Sequence, residues 1–348
     1  MRKGIKLFVV LAVILVLLFS ACQGKDTGGG NAQLARQYGP PMNFAVGSTS
    51  AAEDLITRGI YEYKRLLEER SGGAMTMDVF PASQMGNALN MIEMISAGSM
   101  DMLVEANFFA MFGVDHSLSI TFGLRDLDDV KYWYASDFFK EGLELFREMM
   151  DIRIICHNWY RPWAIIVSKK PAYTQADFRG LKLRTTGADT GNRVFAALGF
   201  APTPIAYNET LLALQQGVID AAFIVEDAAY TMGWYEVTNY LLQTNQTIDS
   251  LLLYFSNKRW QGMTEAQREL LVQCAHDAGD WYTAGTDESV RRAYEGMKAK
   301  GIQVISYSQE ERESWFQQII PIYRDLEASG RYLPGSVDRY LRIRNREE

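Results

Sequence analysis

Residues 180–220, GLKLRTTGADTGNRVFAALGFAPTPIAYNETLLALQQGVID, constrain this chain more than any other stretch. Leu181 to Arg184 alternates apolar and basic side chains, the period of a strand. Thr185, Thr186, Gly187 and Asp189 then make a turn rich in capping residue types. Val194, Phe195 and Leu198 carry a helix, and Gly199 ends it. Pro202 and Pro204 bracket a short extended piece. A second helix follows, and a third strand starts near Asp220. In open α/β sheets ligands bind beyond the carboxyl ends of the strands. Arg184 closes its strand, so it is placed where such a fold reads an anion.

The 348 residues suggest two lobes of ordinary domain size, and the 48% hydrophobic content suits a sizeable core. A formal charge of −7 argues against a nucleic-acid partner, which favours a basic face. At the N-terminus Arg2, Lys3 and Lys6 precede an apolar run over 7–19, too short to span a bilayer. Ser20, Ala21 and Cys22 follow. Residues 1–21 thus predict a secretory signal peptide. The small-small-Cys ending resembles a lipobox, with Phe19 where leucine is usual, and makes Cys22 the expected lipid attachment point. Residues 22–40, polar and Gly-rich over 23–31, predict a flexible tether. Cys156 and Cys274 lie in apolar surroundings and are expected as two buried thiols; a disulfide is not demanded.

Further along, 42–47 predicts a first strand, 48–52 a helix-cap region, and Leu55, Ile60, Tyr63 and Leu67 a helix to Arg70. Residues 74–80 predict a second strand and 81–86 a loop. Leu89, Ile92 and Ile95 mark a helix stopped by Gly98, and 100–104 a third strand. This alternation predicts mostly parallel sheet covered by helices. A second series runs from about 164 to 223, and 251–256 predicts a strand returning to the first lobe. A long helix is expected over 264–298, capped by Thr264 and stopped at Gly301, with a C-terminal amphipathic helix through Trp315, Ile319, Ile322 and Leu326.

No catalytic constellation stands out. His116, His157 and His276 show no metal-ligand spacing, and there is no nucleophile elbow or phosphate-cradling glycine loop. Asp126, Asp128 and Asp129 read as the first turn of a helix, where acids favour the backbone dipole. No enzyme activity, cofactor or metal is expected.

Residues 180–184, 197–204 and 209–220 match, in order, Gly-Leu-Lys-(Leu/Ile)-Arg, Ala-Leu-Gly-(Ala/Phe)-x-Pro-Thr-Pro and Glu-x-x-x-Ala-Leu-Gln-Gln-Gly-Val-(Val/Ile)-Asp. This pattern resembles the extracytoplasmic solute-binding subunits of TRAP transporters. Residues 71–73, 80–86 and 98–102 extend the likeness, which covers about 42–335. It implies a two-lobed periplasmic-binding-protein-like α/β fold of the class II type, with hinge strands and a long bracing helix at 264–298. The implied division is 41–161 with 250–289 for lobe I, and 162–249 with 290–348 for lobe II. The implied role is capture of a carboxylate-bearing organic acid and its delivery to membrane permease subunits. Two alternatives stay open: a binding protein of an ATP-driven importer, and a surface lipoprotein carrying hydrophobic cargo with a tetratricopeptide-repeat partner.

In this family the arginine ending GLKLR grips a substrate carboxylate, a role that falls on Arg184. A second family arginine precedes a Lys-Pro turn, marked here by Pro171. Counting back lands on Trp163 or Ala164, so Arg161 is either a ligand contact or a hinge or surface ion pair. After its Gly-x-x-Asp the family commonly continues Gly-x-Glu-Asn, but here Phe223 and Ile224 stand at the polar positions. Trp159 and Trp163 add aromatic surface, while Gln84, in the loop expected to face the cleft, and Asn107 complete the candidate contacts.

Micromolar affinity needs roughly −8 kcal/mol, whereas one charged hydrogen bond nets about 1.5–3 kcal/mol. A site with few polar partners must draw on apolar area, at about 25 cal/mol per Å². The expected solute therefore has a carboxylate and a partly hydrophobic body.

Overall fold

The computed structural model describes residues 37–112 and 120–348. The signal segment, most of the tether, Cys22 and His116 lie outside them. Two sheets organise the rest. The first has strand order β2 (Met75–Phe80), β1 (Met42–Gly47), β3 (Met102–Glu105), β10 (Ser250–Ser256), β4 (Ile152–Tyr160). The second has order β11 (Gln303–Ser306), β9 (Tyr240–Thr247), β5 (Ala164–Ser168), β8 (Ala221–Val225), β6 (Lys182–Thr185), β7 (Ala201–Pro204).

The βα units give parallel pairs, β1 with β2 and β3, and β6 with β7 and β8. The expectation of mostly parallel sheet fails for the strands that carry the chain between lobes. β10 runs antiparallel to β3 and β4, and β5 antiparallel to β8 and β9. The chain leaves the first sheet after β4 and re-enters it through β10, so these crossing strands run out and back. Arg161 and Asp249 sit at the two crossings, joined by a backbone bond from Arg161 N to Asp249 O of 2.9 Å.

Helix α1 (Leu55–Arg70) buries Ile60, Tyr63 and Leu67 against the first sheet, as the periodicity predicts. Its cap is Asp54, whose carboxylate accepts from Ile56 N, rather than a residue of 48–52. Helix α2 (Ala88–Ala97) ends on Gly98 in the left-handed region, and β3 runs one residue past its expected end, to Glu105. Helices α3 (Leu127–Ala135) and α4 (Asp137–Met150) follow, and Asp126 caps α3 by accepting from Asp129 N. Helix α5 (Asp189–Ala197) and helix α6 (Thr210–Gln216) belong to the second lobe.

Helix α7 (Glu265–Ala299) has 35 residues, about 50 Å at 1.5 Å per residue, and opens on a capping box between Thr264 and Gln267. Its N-terminal half docks on the first lobe: Trp159 Nε1 donates to Ala275 O and Tyr63 Oη to Leu271 O, each at 3.0 Å. Its C-terminal half docks on the second, where Ser289 and Tyr294 donate to Asp227 and Glu226 at 2.8 Å. Helix α8 (Gln309–Ala328) buries Trp315, Ile319 and Leu326. The last helix, α9 (Ser336–Arg344), expected with the second lobe, packs on α8, where Arg344 pairs with Glu313, and also on α3 and α4, where Tyr340 meets Trp133 and Arg339 pairs with Glu141. Cys156 and Cys274 are both free and buried.

Helix α7 approaches β4 closely at Gly279. A Cβ there would press on Asn158 Oδ1 and lie 2.6 Å from Trp159 Cδ1. Alanine gains about 1 kcal/mol of helix propensity over glycine, but overpacking costs about 1–3 kcal/mol. Gly279→Ala should therefore lower the urea midpoint at unchanged slope; a higher midpoint would show that the helix and strand separate freely.

Candidate functional site

The two lobes enclose a cavity of about 330 Å³. Arg184 reaches it from the carboxyl end of β6, a strand held between β7 and β8. Its side chain is only 4% exposed. Nε donates to Ile205 O at 2.9 Å, and the guanidinium carbon lies 5.7 Å from the Tyr207 ring centroid and 5.4 Å from that of Phe223. Among the described residues no carboxylate lies within 4.0 Å of it, and Asp177 and Asp189, its obvious sequence neighbours, are not partners. Burial pulls this guanidinium down to about 10, with Tyr207 and Glu105 opposing. It stays a cation at neutral pH, desolvated and gripped through one nitrogen.

Helix α5 begins beside it. Ala188 supplies no side-chain cap, and Thr190 and Gly191 of the first turn border the cavity. Uncapped amides and the helix dipole favour an anion at this end. Thr185 Oγ1 donates to Asn192 Oδ1 at 2.6 Å and fixes the turn between strand and helix.

Arg161 also lines the cavity, but unlike Arg184 it has a carboxylate near it, although its Nε makes no hydrogen bond. Its Nε lies 3.8 Å from Asp249 Oδ1. Burial pushes the guanidinium down, and Asp249 with Tyr282, Glu105 and Tyr207 together more than offset that, so the net shift is upward. Arg161 also stabilises the ionised forms of Asp54 and Asp227. It is thus the cation at the centre of an acidic hinge and a cavity wall at once. Asp54 Oδ2 accepts from Thr231 Oγ1 at 2.9 Å, tying the cap of α1 to the second lobe.

The other candidates divide. Asn107, Phe223 and Ile224 line the cavity. Phe223 stacks on Phe195, with centroids 5.9 Å apart, so the position that is polar in the family is an aromatic floor here. Trp159 does not reach the cavity: it is fully buried and stacked on Tyr282 under α7. Trp163 faces a separate recess with Phe122, Asn245 and Arg312. Gln84 is exposed and away from the cavity, because its loop folds behind the loop that does line it. Ala82 N and Ser83 N donate to Ser50 O and Ser48 O.

Sequence reasoning missed Glu105, Asp249, Gln246 and Tyr207, all in the cavity wall. Glu105 carried a readable signal: it is a single charge closing an apolar strand, Met102-Leu-Val-Glu105, at the same end of a strand as Arg184. Gln246 is 2% exposed, and its Nε2 has no protein acceptor while its Oε1 accepts from Thr244.

Four hinge acids titrate upward, Asp249 among them through burial. Burial, then repulsion from Asp227, raises Asp54 to about 6, and burial raises Glu226 to about 7 and lifts Asp227. An acid raised in the folded state binds its proton more tightly there than in the unfolded chain, where the values are 3.8 and 4.5. Stability therefore grows as pH falls through about 7 and 6 and is lost as pH rises back through that window. The melting temperature should be higher near pH 5.5 than near pH 8 (a choice set by those two values), and Asp54→Asn with Glu226→Gln should shrink the difference. Asparagine keeps the cap of α1; an unchanged difference in the double variant would clear these groups.

The chain matches the family model of bacterial extracellular solute-binding protein, family 7, over residues 46–329. It is 26% identical over 248 residues to a 2,3-diketo-L-gulonate-binding periplasmic protein of Escherichia coli, covering 70% of this chain and 75% of that one. It is 23% identical over 267 residues to a sialic acid-binding periplasmic protein of Vibrio cholerae, covering 76% and 81%. Among solved structures, a TRAP periplasmic solute-binding protein of Desulfovibrio salexigens with bound orotic acid superposes with TM-score 0.79 at 24% identity, covering 88% of this chain and 99% of that one. A sugar acid binding protein of Advenella mimigardefordensis in complex with galactonate gives TM-score 0.81 at 18% identity, covering 89% and 99%. These superpositions bear on the fold.

Proposed function

The chain belongs to the bacterial extracellular solute-binding proteins of family 7, the solute-binding subunits of TRAP transporters, and from that premise we propose that its cavity seats the carboxylate of an organic acid on Arg184. The observation that carries this is a buried guanidinium with one neutral acceptor and no carboxylate beside it among the described residues. A desolvated cation of this kind is stabilised by an anion that completes its hydrogen bonds. The uncapped start of α5 adds amide donors on the same side.

The two relatives named above bind 2,3-diketo-L-gulonate and sialic acid. Carried to this chain, that supports an acid as solute but not the same acids. Phe223 and Ile224 stand at positions the family resemblance makes polar, and Phe195 extends their apolar wall, so the solute has fewer hydroxyls and a larger apolar part. Burying an aromatic-sized body contributes several kcal/mol at about 25 cal/mol per Å², which makes up what the missing polar contacts do not supply.

Mechanistically, the open form takes up the solute, the lobes close at the Arg161–Asp249 crossings, and the closed form presents it to the membrane permease. Ligand contacts made from both walls bias that closure. Cys22 carries the lipid that holds the protein at a membrane outside the cytoplasm. Its partners are the permease subunits and, for cargo with an apolar body, a tetratricopeptide-repeat lipoprotein. No step requires a catalytic residue or cofactor.

Arg184→Ala should weaken binding of carboxylate solutes at least roughly tenfold, the value of one charged hydrogen bond, with the circular dichroism spectrum unchanged. Calorimetry showing equal affinity for the variant would remove Arg184 from the site.

A further inference from the structure

We propose that the cavity is shaped for a zwitterion, a solute whose carboxylate meets Arg184 and whose ammonium or other cationic group meets Glu105. The inference rests on the reading that Arg184 seats the carboxylate, and extends it to the opposite wall.

Among the described residues four charged side chains line the cavity: Glu105, Arg161, Arg184 and Asp249. Arg161 and Asp249 are paired with each other at the crossings. The remaining two are not paired. Arg184 holds only the Ile205 carbonyl and two aromatic faces. Glu105 is 9% exposed and holds only neutral donors: Oε1 accepts from Ala106 N at 3.0 Å and Oε2 from Thr49 Oγ1. Among the described residues no cation lies within 4.0 Å of its carboxylate. One buried cation and one buried anion therefore face the same small space, each fixed by hydrogen bonds and each lacking an opposite charge in contact. Buried charges are ordinarily paired, and a carboxylate with two donors retains lone pairs for more.

Charge balance narrows the solute. Among the described residues the four lining groups sum to zero, two positive and two negative. A monocarboxylate leaves the closed cavity with one surplus negative charge beside Glu105 and Asp249, and a dicarboxylate leaves two. A zwitterion leaves none and satisfies both unpaired groups. The unpartnered Nε2 of Gln246 supplies one more donor for a carboxylate or carbonyl oxygen. Phe195, Phe223 and Ile224 receive an apolar substituent. The class that fits is an α-amino acid, or a related ammonium carboxylate, with an apolar side chain.

The placement also gives the solute a mechanical role. Glu105 ends β3 in the first sheet and Arg184 belongs to β6 in the second. A small molecule carrying an ammonium and a carboxylate side by side contacts both walls only when they are close, so its binding energy favours the closed form.

The test is calorimetry on the full-length mature protein, stripped of carried-over solute by unfolding and refolding. Matched pairs are titrated: leucine against 4-methylpentanoate, phenylalanine against 3-phenylpropanoate, with succinate as a dianion. At least one amino acid should bind roughly tenfold or more tighter than its deaminated partner, and succinate should be the weakest. Glu105→Gln, which keeps an acceptor for Thr49, should close most of that gap by weakening the amino acid. Deaminated acids binding as tightly as the amino acids, a gap that survives Glu105→Gln, or no amino acid binding at all would each overturn the proposal. Arg184→Ala separates the two readings. If it abolishes binding of deaminated acids that show no ammonium preference, only the zwitterion inference fails; if it changes nothing, the carboxylate seat fails as well.

Discussion

A guanidinium taken out of water without a counter-ion is the constraint on which the rest of this structure turns. The sequence places Arg184 at the end of a strand flanked on both edges, so the backbone cannot withdraw it. Ile205 O holds one nitrogen and the rings of Tyr207 and Phe223 cover its faces. Such a site is costly when empty and selective when filled, because only a group bringing negative charge restores what desolvation removed. The apolar floor makes that selectivity sharper by lowering the local dielectric around the same charge.

The second arginine does different work. Arg161 lies where the chain crosses between lobes, flanked by Asp249 and felt by Asp54 and Asp227. Its charge is spent on the hinge, and its neighbours are acids whose ionisation burial opposes. Helix α7 spans the same region and bonds to both lobes, to Trp159 and Asn158 at one end and to Asp227 and Glu226 at the other. Lobe movement is thus confined to two short crossings and a helix that restrains them. That geometry suits a clamp whose resting and closed forms differ by little energy, so that one small ligand decides between them.

Much of this was legible in the chain. The periodicity of Ile60, Tyr63 and Leu67, the cap at Thr264 and the glycine stops at Gly98 and Gly199 each act locally, and the elements they mark lie where local physics puts them. Arg184 was readable because it closes a strand where such folds bind ligands and ends the Gly180–Arg184 run that resembles the family pattern. Glu105 closes its strand too, but β3 extends one residue beyond its apolar run and the signal was passed over. What could not be read is non-local. The pairing of Arg161 with Asp249 joins residues 88 apart in number, 249 less 161. The polar residues of β9, Tyr240–Thr247, hide a strand whose last two, Gln246 and Thr247, line the cavity. Trp159 looks like a binding aromatic until α7 is seen to cover it, and Gln84 like a cleft residue until its loop is seen to back another.

The most direct measurement is a crystal structure of the protein purified without unfolding, with whatever solute it retains. The account predicts electron density between the lobes with a carboxylate in hydrogen-bond contact with the terminal nitrogens of Arg184. Density placed elsewhere, with Arg184 bonded only to water or to a protein carboxylate, would contradict it.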